Sequence, residues 1–276
     1  MLDDSILTHE STVTFIQRIY QMMDRTSRSI GDVAFAEQAL LVNAAESDGG
    51  FSLRLFQTKP AQSANSAISI DALLEKELAV RVRNRNDRRG YAIKATDKGR
   101  NRIALVDRAI ALTLIDTERR LTEDLYEELV MRARTFSDAV NPRHRVTTFL
   151  PGALAGYLSA YQFAVERESA YAGLTSLQVS ILCCLSGQTE RCSAGHIAAC
   201  TGLSVEMAEL NLEHLLDRQA VRNTNGLWEL RDDGRQRLST FMERFKVRVE
   251  DIVGSFDDEQ FSHAEQLAEL SSYLFA

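Results

Sequence analysis

With 276 residues the chain is long enough for two domains, each with its own core. A content of 45% hydrophobic and 26% charged residues fits a soluble globular protein, and three prolines with 7% aromatics favour a mostly helical one. The net charge of −7 excludes a uniformly basic body, so affinity for a polyanion has to come from a local concentration of bases.

The start of the chain has neither the basic region nor the apolar stretch of a signal peptide. No apolar run approaches the roughly 18 residues of a membrane helix. These features predict a cytoplasmic protein with no membrane partner. All four cysteines lie within residues 183–200, and without a secretory signal they are expected to be reduced thiols.

In chain order, an amphipathic helix is expected near residues 12–29. A second follows over 63–78, opened by Pro60-Ala61-Gln62-Ser63, with Ile68, Ile70, Leu73 and Leu74 facing inward. Residues 80–96 then read VRVRNRNDRRGYAIKAT, two stretches of strand character around a polar, charged turn, which predicts a β-hairpin. Its bases are concentrated: residues 81–102 hold Arg or Lys at 81, 83, 85, 88, 89, 94, 98, 100 and 102 against Asp87 and Asp97. This segment is +7, leaving −14 for the remainder. A long helix follows Asp97-Lys98-Gly99-Arg100, and another is expected after Thr122, a good N-cap with Glu123 and Asp124 in the first turn.

The same order of parts then recurs. A helix near 149–169 parallels the first, Leu215-Leu216-Asp217-Arg218-Gln219-Ala220-Val221 parallels Leu73-Leu74-Glu75-Lys76-Glu77-Leu78-Ala79-Val80, and Asp232-Asp233-Gly234-Arg235 parallels residues 97–100. Ser255 precedes Asp257, Asp258 and Glu259 as Thr122 precedes its acids. The copies lie 142 residues apart at Leu73 and Leu215 but 135 apart at Gly99 and Gly234, so the second has lost about seven residues between strand and turn. Proline in Val140-Asn141-Pro142-Arg143-His144-Arg145 disfavours helix there and sets the boundary, giving domains 1–144 and 145–276.

A helix followed by a basic hairpin is a winged-helix layout. The run NDRRGYAIKATDKGR resembles the wing of the MarR family of regulators, in which Asp-x-Arg is followed by a strand and a Thr-x-x-Gly turn into a long helix; the matching residues are Asp87, Arg89, Thr96 and Gly99. Residues 173–178 and 193–204 are similar to the family's second and third helices, so the resemblance runs along nearly the whole chain twice. It implies a mainly α fold with small β-hairpin wings: two tandem winged helix-turn-helix domains flanked by long dimerisation-type helices. It also implies a transcriptional regulator, a repressor in the leading reading, that binds a double-stranded DNA operator and responds to a small-molecule effector. The tandem chain would form an intramolecular pseudo-dimer, with a homodimer as the alternative.

On that reading Ser63, Asn65, Ser66 and Ser69 lie on the exposed start of the first recognition helix, where asparagine pairs with adenine edges and hydroxyls reach phosphates or bases. Arg83, Arg85, Arg88 and Arg89 supply guanidinium groups to the minor groove, and Asp87 holds a neighbouring arginine in place. The second copy is poorer in bases. Its recognition helix carries Glu206, Glu209 and Glu213, and its wing, residues 222–228, is short and nearly uncharged. DNA contact is therefore expected chiefly from the first copy. The alternative is an interaction protein or antirepressor that keeps the fold without binding DNA.

Cys192, His196 and Cys200 are spaced to share a helix face, which raises a metal or redox site, with core packing as the default for these and for Cys183-Cys184. His9, His144, His214 and His263 show no triad or ligand spacing. There is no Gly-rich phosphate loop and no nucleophile elbow, so an enzyme is not expected, and no cofactor is assigned. Trp228, in the second hairpin, is expected to anchor that wing to the body.

Overall fold

The computed structural model describes residues 9–46, 50–52, 70–84, 90–117 and 152–253. Its chain divides into two compact units: a first lobe that takes in Met23–Ala160, and a second that takes in Met1–Met22 and Tyr161–Phe256. The dividing lines fall inside two long helices, α1 (Glu10–Gly31) and α4 (Gly152–Tyr171), which match the helices expected near 12–29 and 149–169. The described part of the fold is mostly helical with two small antiparallel sheets. Among the described residues no single helix is long and apolar enough to cross a membrane.

In the first lobe α1 ends at Gly31, and the Asp24 carboxylate accepts a hydrogen bond from the Phe35 N–H (2.8 Å), tying that end to the start of α2 (Phe35–Glu46). A short strand, β1 (Phe51–Ser52), comes next, and residues 70–75 are helical. The hairpin expected over 80–96 is formed by β2 (Ala79–Arg83) and β3 (Tyr91–Ala95), paired from Ala79 with Ala95 to Arg83 with Tyr91. β1 lies against the other edge of β3, and α3 (Asp97–Thr117) follows. The core draws on each element: Leu40, Leu41, Ile70, Leu73, Ile93 and Ile103 are all buried. Ile70 and Leu73 thus face inward as their spacing predicts; Ile68 lies outside the described residues.

The second lobe runs α4, α5 (Ser176–Ser186), β4 (Cys192–Ser193), α6 (Ala194–Thr201), α7 (Val205–Asp217), β5 (Val221–Thr224), β6 (Leu227–Leu230) and α8 (Asp232–Val253), with sheet order β4-β6-β5. Helix, strand, helix, helix and hairpin in this arrangement make a winged helix-turn-helix. Short polar side chains set where its helices begin. Thr175 and Gln178 form a capping box (3.2 and 3.0 Å) at α5, and Ser193 and Ser204 accept from the backbone N–H three residues on (3.2 Å each) at α6 and α7. In α8, Leu238, Phe241, Phe245 and Val249 recur at helical spacing and are buried, Phe245 meeting Tyr161 edge-on at 4.9 Å.

Each lobe has the same kind of backbone junction where its own hairpin leaves and rejoins its body. After residues 70–75, Leu78 N donates to Leu73 O (2.9 Å) and Glu77 N to Leu74 O (3.0 Å), with Glu77 left-handed at φ 56°. After α7, Ala220 N donates to Leu215 O and Gln219 N to Leu216 O (2.9 Å each), with Gln219 at φ 57°. Both are Schellman turns. Each returning strand then donates to the residue at which its hairpin departed, Thr96 N to Leu78 O and Arg231 N to Ala220 O, at 3.0 Å in both. The glycines of the paired tetrapeptides sit against the same carbonyls: a Cβ on Gly99 would lie 2.1 Å from Leu78 O, and one on Gly234 2.2 Å from Ala220 O. Only glycine permits that approach.

Candidate nucleic-acid interface

The first wing leaves the body at Ala79, and Asn84 N donates to Gly90 O (3.1 Å), closing the hairpin below its tip. Thr96 fixes the far end. Its hydroxyl donates to the carbonyl oxygens of Glu77 (2.8 Å) and Leu78 (3.1 Å) and accepts from Gly99 N (3.0 Å), so the Thr-x-x-Gly pattern is a helix cap that also clamps the preceding turn.

The bases of this segment separate into two sets. Arg81 pairs with Asp71 (3.0 Å), Lys98 with Glu77 (3.5 Å), and Arg100 donates to Ala45 O (3.2 Å), which brace the wing against the body. Arg102 lies against Gly31 so closely that a Cβ there would overlap its guanidinium. Arg83 is exposed and has no ion pair among the described residues. It stands opposite Tyr91, itself 62% exposed, at the end of the ladder nearest the tip. Tyr91 is a candidate contact that the sequence does not mark, since one aromatic in a five-residue strand has no periodicity. Ser63, Asn65, Ser66, Ser69, Arg85, Asp87, Arg88 and Arg89 lie outside the described residues.

Beside the wing, a cavity of about 680 Å³ is lined by Gly31, Asp32, Lys76, Lys98, Asn101 and Arg102, among others. Among the described residues, the buried Arg102 Nε has no hydrogen-bond partner.

The second wing is built differently. Asn225 and Gly226, both left-handed (φ 56° and 81°), form a two-residue turn, and Gly226 N donates to the Asn223 side chain (3.0 Å). Arg222 and Arg191 both bind the Glu229 carboxylate, the latter at 2.7 Å, and this pairing holds Glu229 below the usual carboxylate range. Trp228 is buried, facing Cys192 in the sheet register. The exposed face of α7 presents Val205, Met207 and Leu210 together with Glu206, Glu209 and Glu213. Neither a free cationic wing nor a basic helix face is found here.

Cys192 does not share the helix face of His196 and Cys200: Ser193 caps α6, which starts at Ala194, so Cys192 belongs to β4. The described residues contain no group of three or more His, Cys, Asp and Glu side chains placed to hold a metal ion.

Geometrically, then, the second lobe is a winged helix-turn-helix, and the described parts of the first repeat its sheet order and its hairpin junction. No family model and no curated protein matches the sequence. Solved structures similar to it include a MarR-family transcriptional regulator from Rhodococcus sp. RHA1 (18% identity, TM-score 0.40, 44% of this chain and 92% of that one). Another is CouR from Rhodococcus jostii RHA1 bound to p-coumaroyl-CoA (18% identity, TM-score 0.39, 44% and 90%). Likeness at this level does not assign the chain to the family.

Proposed function

We propose that the chain is a sequence-specific, double-stranded-DNA-binding transcriptional regulator, acting as a repressor, made of two MarR-like units in tandem (1–144 and 145–276) that fold as an intramolecular pseudo-dimer in the cytoplasm. The observation that carries this reading is the cationic hairpin braced behind a helix in the first lobe, with Arg83 and Tyr91 exposed toward its tip. The pseudo-dimer is supported by the two junctions with matching hydrogen bonds. In this assignment Asn65 and the serines at 63, 66 and 69 read the major groove, while Arg83, Arg85, Arg88 and Arg89, ordered by Asp87, enter the minor groove. The second lobe contributes little DNA contact, because Glu229 occupies Arg222 of its wing together with Arg191 before β4. The cavity beside the first wing, with Lys76, Lys98 and Arg102 on its wall, is the proposed effector site and suits a small anionic molecule.

Gel-shift titration on the promoter of the protein's own gene tests this. The expected complex weakens steeply with salt; Arg89→Ala lowers affinity roughly tenfold and Arg222→Ala less than about twofold. Equal losses from the two variants would overturn the asymmetry. A second reading, an interaction protein that keeps the fold, is favoured by the apolar and acidic face of α7. Absence of any salt-sensitive complex would select it.

A further inference from the structure

Helix α7 has an outward face that its own lobe does not complete. Its inward side is made of Ala208, Asn211, Leu212 and Leu215, all buried. On the other side Val205, Met207, Leu210 and Leu216 are 40–47% exposed, and Glu206, Glu209, Glu213 and Asp217 stand exposed among them. Local energetics account for only the first of these acids. Glu206 lies in the first turn, where the helix dipole favours a negative charge. Glu213 and Asp217 lie toward the opposite end, where the dipole disfavours one. Glu209, Glu213 and Asp217 also follow one another at four-residue spacing, so each repels the next. None of these three has an ion pair among the described residues. Arg218, just after the helix, donates to Gly173 O, and Arg222 of β5 binds Glu229.

The first wing carries the complementary surface. Arg83 and Tyr91 are paired across β2 and β3, so they share one face of the hairpin, and both are exposed. Residues 81–102 carry a net +7. The wing thus offers the same two ingredients as α7, open apolar surface and charge, with the sign reversed. Their lengths agree: the 13 residues of α7 rise about 20 Å, and the five residues of β2 span about 17 Å. Both faces are open in one and the same chain, so the contact that covers them lies between chains.

We propose that the outward face of α7 docks the β2–β3 hairpin of a second copy of this chain. Arg83 of one copy meets Glu209 and Glu213 of the other, and Tyr91 packs on Met207 and Leu210. The contact is heterologous, wing on helix, so a pair of chains closes it reciprocally or further copies extend it. A helix face about 20 Å long and 10 Å wide falls short of the roughly 800 Å² per partner of a standard complex, so the association is reversible. Because its charges face solvent when free, it is also sensitive to salt. The contact occupies the wing that the proposed function gives to DNA, so self-association and DNA binding exclude one another; the inference rests on neither reading of function.

Sedimentation velocity of the full chain over a concentration series, without DNA, tests this. The mass is expected to rise with concentration in about 50 mM salt, with association weakened roughly tenfold at about 500 mM. Glu209→Lys with Glu213→Lys is expected to lose this step, as is Arg83→Glu with Tyr91→Ala. All four positions are exposed, and thermal unfolding matching the parent shows that each variant folds. Mixed in equal amounts, the two variants are expected to associate again, since one supplies an intact wing and the other an intact helix face. With the photoreactive p-benzoylphenylalanine in place of Leu210, the crosslink is expected to fall within residues 79–95 of the other copy. A mass independent of concentration and salt overturns the proposal and leaves α7 to a partner of another kind. Association that either variant retains alone, failure of the mixture to associate, or a crosslink to another segment overturns it as well.

Discussion

Glu168 has 1% of its surface exposed, yet it is a carboxylate on a long helix. Arg244 (2.9 Å) and Arg248 (3.3 Å), both on α8, converge on its two oxygens, and Arg244 also lies over the Tyr171 ring at 4.0 Å. A charge held this deep is tolerated only with such partners, and its removal takes the carboxylate from Arg244 and leaves Arg248 with Asp251 (3.1 Å). Because both arginines keep some contact with solvent, the loss falls below that of a wholly buried pair. Glu168→Ala is expected to cost about 2–3 kcal/mol in urea unfolding. Glu168→Gln should recover part of that through its remaining acceptor oxygen. A loss under about 0.5 kcal/mol for the alanine variant would mean that the pair behaves as a surface ion pair.

At the scale of elements, the turn that ends α7 puts Gln219 in the left-handed region, which a side chain occupies at a cost. Gln219→Gly is expected to stabilise the second lobe by about 0.5–1 kcal/mol, net of the glycine's greater freedom in the unfolded chain. Gly234→Ala is expected to act in the opposite sense and more strongly, by roughly 3 kcal/mol, since the new methyl meets the rigid Ala220 carbonyl rather than a yielding side chain. Thermal unfolding of the two variants side by side checks both signs. Such junctions are legible in sequence because they are local: the paired leucines, the wing alternation and the Thr-x-x-Gly cap each lie within a few residues. The pattern fails where geometry depends on packing between elements. The spacing of Cys192, His196 and Cys200 suggests one helix face, but Ser193 starts the helix one residue too late for Cys192. Tyr91 gains its position from its partner Arg83 on the facing strand.

Across the whole molecule, the two hairpins differ by about seven residues in length, yet both depart from the same Schellman turn and return through the same backbone hydrogen bond at 3.0 Å. The difference is therefore absorbed beyond the junction. The hairpin behaves as a removable cassette. Replacing residues 221–230 with residues 79–95 is expected to leave a single cooperative unfolding transition and a Tm within about 4 °C of the parent, a shift of about 1 kcal/mol or less in a chain of this size. A broadened or split transition would show instead that the Glu229 pairing with Arg191 and Arg222 is needed to hold the second body together. If the exchange succeeds, hairpins of other lengths and charges can be fitted at either junction, so the segment can change its target while the lobes that carry it stay fixed.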